Sequence, residues 1–188
     1  MWWARGLGIV FLVVGCNGGD DDKPVPQPGA CFDYTGWDGS SPTVSLETDL
    51  LGDLAADGKG GLMRRACGLG SCHGDMARPE ENLFLGPPLR IGTQAVTITP
   101  SEITAVETNV IRKPSVIAPG LLRVVPGDPA NSFLMMKVDG CLESVRDQCT
   151  KPPPDVQHPC GDRMPERGSM LPAAERDMLR RWIAQLPP

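Results

Sequence analysis

The sequence predicts a mostly α-helical domain with long irregular loops, stapled by disulfides. Three observations carry that expectation. Helix-start signals stand at Thr99-Pro100-Ser101-Glu102, at Asp128-Pro129 and at Pro172, each leading into apolar residues at helical spacing. The 22 glycines and 20 prolines among 188 residues cut regular elements short. Six of the seven cysteines lie beyond residue 30, an even set of the kind that small exported domains cross-link.

Residues 1–15 hold one basic residue, Arg5, an apolar run from Leu7 to Val14, and Gly15 ahead of Cys16. This is the pattern of a secretory signal. Small residues before a cysteine resemble the lipobox of bacterial lipoproteins, in which the thiol is acylated and the signal removed. Cys16 is therefore the expected lipidation site. The apolar run falls well short of the roughly 20 residues that span a bilayer, so a lipid anchor on the periplasmic side of a bacterial membrane is the expected location. Residues 16–30 are acidic and then proline-rich, bury little, and read as a tether. Residues 31–188 fit one domain.

Within that domain, Ser45 to Ala66 carries Leu46, Leu50, Leu51, Leu54, Leu62 and Met63 and predicts one or two helical pieces, broken at Asp57-Gly58 and Gly60-Gly61. Strand signals are weak and confined to Val96-Thr97-Ile98 and Leu121 to Val125. At Thr99 the capping-box pattern, with Pro100 in the first helical position, opens a helix whose Ile103, Val106 and Val110 share a face. Asp128-Pro129 is expected to open another through Ser132, Phe133, Met135 and Met136 toward Lys137. The last begins at Pro172 and places Ala174, Met178, Leu179, Trp182, Ile183 and Leu186 at helical spacing.

A formal net charge of −5, without a basic stripe, argues against nucleic acid as a partner and favours partners that present a basic face.

The chemistry-bearing motif is Cys67-Gly-Leu-Gly-Ser-Cys72-His73-Gly74. Covalent haem attachment uses Cys-x-x-Cys-His, in which two thiols bond the haem vinyl groups and the adjacent imidazole ligates iron. Here four residues separate the cysteines, a bulge that Gly68 and Gly70 ease through glycine's access to positive φ. The reading is one haem c held by Cys67 and Cys72, with His73 on the iron. A local Cys67–Cys72 disulfide is the competing reading. If haem takes this pair, Cys31, Cys141, Cys149 and Cys160 allow three disulfide pairings; otherwise six cysteines allow fifteen. A zinc site from Cys67, Cys72, His73 and Cys160 is conceivable but lacks a second close ligand pair.

The distal iron ligand is expected from a distant loop, and Met164 in Gly161-Asp162-Arg163-Met164-Pro165 is the candidate, with His158 as the alternative. Met63, Met135, Met136 and Met178 sit in helical patterns and read as core; Met76 and Met170 are outside them. Arg123 and Arg163 can pair with haem propionates. Trp182 is a core aromatic, against the haem edge or in ordinary packing.

The order of Cys-His-Gly at 72–74, Val-Val-Pro-Gly-Asp-Pro-Ala-Asn-Ser-Phe at 124–133, Arg-Met-Pro at 163–165 and Arg-Arg-Trp-Ile at 180–183 resembles the small cytochrome c-like lipoproteins of Gram-negative bacteria. The likeness covers about two-thirds of the mature domain and departs from the usual pattern in the Cys67 to Cys72 spacing and in a long insert from Pro79 to Gly127. It implies a cytochrome c-like helical domain, iron ligation by His73 and Met164, and electron exchange with redox proteins of the envelope, without catalysis. The alternative is a haemless, disulfide-stabilised envelope lipoprotein acting as an interaction or structural module.

Overall fold

The computed structural model describes residues 31–150, 158–166 and 169–188. The signal, the tether and Cys16 lie outside the described residues. Helices supply most of the regular structure: α1 (Leu62–Ala66), α2 (Pro100–Val110), α3 (Phe133–Asp139) and α4 (Ala173–Gln185), with one hairpin of β1 (Arg90–Ile91) and β2 (Gln94–Ala95). Among the described residues, no helix is long and apolar enough to cross a membrane.

The Ser45–Ala66 stretch folds as two pieces, a π-helical turn Leu46–Leu50 and then α1. The Arg64 side chain on α1 is buried. It binds the chain that wraps it, donating to the carbonyls of Pro87 (2.9 Å), Leu51 (3.2 Å) and Val96 (2.6 Å) and to Asp53 Oδ1 (2.7 Å). Loop carbonyls that burial would strand are thereby satisfied.

Helix α2 begins as its sequence predicts: Thr99 accepts from Glu102 N while Glu102 binds Thr99 N at 2.8 Å, a complete capping box. Helix α3 starts later than Asp128-Pro129 predicts. Asp128 instead accepts from Asn131 N (3.1 Å) and closes a turn. The first amides of α3, those of Phe133 and Leu134, donate to the carbonyls of Leu122 (3.0 Å) and Arg123 (2.9 Å). A neighbouring segment therefore does what a side-chain cap was expected to do. That segment, Leu121 to Val125, forms only isolated bridges, Ile111 with Val124 and Pro114 with Leu122. Val96 to Ile98 is not a strand. The hairpin lies just before it, turning at Gly92 with φ 60°, and the Gly92-Thr93 pair was its available signal.

Helix α4 runs from Pro172 as expected and buries Leu179, Trp182 and Ile183. Two devices hold it. Asp139 at the end of α3 receives Arg176 Nη1 at 2.9 Å and also Arg180 Nη2. On its outer side Phe32, Tyr34 and Trp37 pack edge to face, Arg180 lies 3.8 Å from the Phe32 ring centre, and Trp37 Nε1 donates to Asp177 (3.0 Å). The main core gathers Leu50, Leu51, Leu62, Val106, Val110, Met135 and Ile183. A smaller cluster of Ile117, Ala118, Phe133 and Val145 forms around the Cys149–Cys160 disulfide.

Of the three disulfide pairings open to four cysteines, the structure has Cys31–Cys141, tying the N-terminal segment to the end of α3, and Cys149–Cys160. Cys160 is thus unavailable to a zinc site.

Candidate functional site

Helix α1 delivers the cysteine loop. Cys67 closes its last turn, donating its amide to Met63 O at 2.8 Å, and the loop then doubles back, with both Cys72 N and Gly74 N donating to Leu69 O at 2.9 Å. The glycines act through space, not through positive φ. A Cβ on Gly74 would stand 2.2 Å from Gly68 O, and one on Gly68 would stand 2.7 Å from Gly86 O, whereas Gly70 has nothing within 4 Å. The expected positive φ is absent at Gly68 and Gly70.

His73 follows, 5% exposed. Its Nδ1 lies 2.8 Å from Leu83 O. A carbonyl only accepts, so Nδ1 carries the proton and Nε2 holds the lone pair. This is how a metal-ligating histidine is oriented from behind. Burial holds the ring below its ordinary value of 6.5, against the weaker opposing effect of the Leu83 and Glu80 carbonyls. The imidazole is therefore neutral at neutral pH.

Cys67 and Cys72 are in no disulfide. Burial pushes the Cys67 thiol up to about 12, with the Cys72 thiol adding to the effect. Thiolate is the species that attacks in disulfide exchange, so Cys67 is a slow partner for oxidation.

Opposite this loop, Met164 is held by its amide, which donates to Lys137 O on α3 at 2.8 Å. Lys137 Nζ in turn donates to Cys160 O at 2.8 Å, tying the methionine loop to α3 from a second point. The outcome is a mainly apolar cleft of about 240 Å³ lined by Cys67, Cys72, His73 and Met164 together. Its walls draw on both core clusters, through Leu85, Leu134 and Val138 from one and Ile117 and Phe133 from the other.

His158 is not in that lining; it is exposed, with Nδ1 3.6 Å from Asp162 Oδ1. Met76 is 58% exposed, and neither it nor Met170 lines the cleft. Met63 and Met135 are core. Trp182 packs in the main core, the ordinary-packing reading, and does not line the cleft. Arg123 does line the cleft, but its guanidinium is engaged with Asn109 O (2.7 Å), Asn109 Oδ1 (2.9 Å) and Glu81 O (3.1 Å); burial lowers its pKa. Arg163 stands beside Gly140 instead.

Sequence reasoning missed Lys137 and the carboxylates Glu80, Glu81, Asp162 and Glu166 around the cleft. A lysine inside the apolar run Phe-Leu-Met-Met-Lys-Val was the one available signal. Among the described residues, no three His, Cys, Asp or Glu side chains cluster as a metal cage. The donor set is instead one imidazole nitrogen and one thioether sulfur beside two thiols, which suits an iron that arrives already held by a macrocycle. Comparisons with protein-family models, with curated proteins and with solved structures find no match for this chain.

Proposed function

We propose that this chain is a lipid-anchored, periplasmic c-type cytochrome that carries single electrons and catalyses no reaction of its own, on a cytochrome c-like helical domain. One observation carries the reading: two thiols, an imidazole with its tautomer set, and a methionine some 90 residues further along the chain share one apolar cleft.

A bound haem supplies the one-electron couple of its iron. The chain's residues do the rest. Cys67 and Cys72, which are in no disulfide, would hold the group covalently through their sulfurs. His73 presents Nε2 because Leu83 O occupies the other ring nitrogen. Met164, in the same lining, would be the second protein ligand, and a thioether paired with an imidazole would favour a high potential and electron transfer over oxygen chemistry. Leu85, Phe133, Leu134 and Val138 give the cleft an apolar lining, which would limit the solvent rearrangement that accompanies electron transfer. Cys16 supplies the anchor.

The test is export in a host with active cytochrome c maturation, followed by a denaturing gel stained for haem peroxidase activity. A stained band at the protein's mass is expected, lost in the Cys67→Ala/Cys72→Ala double variant. A colourless wild-type band of normal mass overturns the proposal in favour of a haemless envelope lipoprotein.

A further inference from the structure

Four large apolar side chains are conspicuously exposed among the described residues, and two of them, Leu69 (55%) and Val116 (45%), line the mouth of the cleft. They come from two segments far apart in the chain: Leu69 from the cysteine loop, Val116 from the segment between α2 and α3. Charge around them is sorted by depth. The cleft's two cations, Arg123 and Lys137, are each 7% exposed. Its carboxylates Glu80, Asp162 and Glu166 face solvent, and Glu81 is half-buried. The solvent therefore meets an apolar centre with a carboxylate rim.

We infer that the mouth of this cleft is the docking face for a redox protein whose own surface carries an apolar centre ringed by lysines or arginines. The inference rests on the haem reading of the same cleft and names the partner's chemistry. Apolar contact at Leu69 and Val116 brings the partner over the site, and the carboxylate rim sets its orientation and speeds its approach. Opposed charges steer encounter more than they tighten the complex, which suits a carrier that must bind and leave quickly. Small, weakly held interfaces are usual for such redox encounters.

Two measurements test it. In the first, labelled protein is titrated at low salt with a strongly basic mitochondrial-type cytochrome c as the probe, and amide shifts are read by NMR. Shifts should concentrate at Leu69, Val116 and the four rim carboxylates; shifts spread over the surface, or centred elsewhere, overturn the docking face. This arm reads the surface whether or not the chain carries haem. In the second, haem-loaded protein is mixed in stopped flow with hexaammineruthenium(III), a cation, and with ferricyanide, an anion. The E80Q/E81Q/D162N/E166Q variant should slow exchange with the cation about tenfold or more at low ionic strength and lose its salt dependence. The charge-matched E47Q/D57N/E107Q/D147N variant should keep the wild-type rate. Equal losses in both variants reduce the effect to net charge and overturn the face. A colourless gel band with localised shifts defeats the haem reading, and with it the redox role of the partner, and leaves a face for a basic protein.

Discussion

Helix α3 serves two regions built on opposite principles. Toward α4, the buried Asp139 receives Arg176 and Arg180, and Arg180, whose Nε has no hydrogen-bond partner among the described residues, also lies over Phe32. Toward the cleft, α3 contributes Phe133, Leu134, Lys137 and Val138 to a lining that Cys67, Cys72, His73 and Met164 share. The seam uses its polar groups to hold the protein together, whereas the cleft places two thiols, an imidazole and a thioether along a mainly apolar wall. Among the described residues the cysteines divide likewise, four in disulfides and two as thiols.

The contrast breaks if the seam proves dispensable. Asp139→Ala leaves two arginines facing a site without its carboxylate and should cost about 3–5 kcal/mol, read from denaturant unfolding. Within the cleft the same measurement separates two glycines. Gly74→Ala should lose about 1–3 kcal/mol because its Cβ meets Gly68 O, while Gly70→Ala should be near neutral.

Protonation sharpens the comparison further, because the haem-free cleft should be sensitive to pH at both ends. The folded His73 ring takes a proton less readily than the unfolded one. Its contribution is complete above pH 6.5 and is lost as pH falls below that value. The folded Cys67 thiol keeps its proton to about 12, against an ordinary 9.0. Its contribution is complete below pH 9.0 and is lost as pH rises toward 12. Denaturant midpoints measured across pH should fall on both sides, and His73→Gln and Cys67→Ala should each flatten one side only.

Only a small effect on stability is expected at Met164, which is partly buried. Met164→Ala should cost about 1 kcal/mol yet abolish the weak absorbance of sulfur-ligated ferric iron in the loaded protein. Retention of that absorbance transfers the ligand role to another methionine.

Local grammar was legible where it is self-contained. The capping box at Thr99 satisfies its own backbone groups within a turn, and the start of α4 at Pro172 and the two-piece stretch before Cys67 follow from local proline and glycine placement. The start of α3 was not, because its first amides are answered by Leu122 and Arg123. The role of the glycines near Cys67 was misread for the same reason: the requirement at Gly74 is set by an oxygen six residues away in the chain that folding brings close. Trp182 has the spacing of a core residue and is one; no periodicity could place it relative to the cleft.

By itself the sequence determined the helical, loop-rich and disulfide-linked character of the domain, and the residue types of its candidate site, since these follow from propensity, spacing and side-chain chemistry. Only the tertiary structure decided which cysteines pair, that Met164 lines the cleft with His73 while His158 stands outside it, and that the carboxylates gather at the cleft mouth. Those outcomes depend on contacts between segments far apart in the chain, where burial and the satisfaction of backbone groups select one arrangement among several that the local sequence leaves equal.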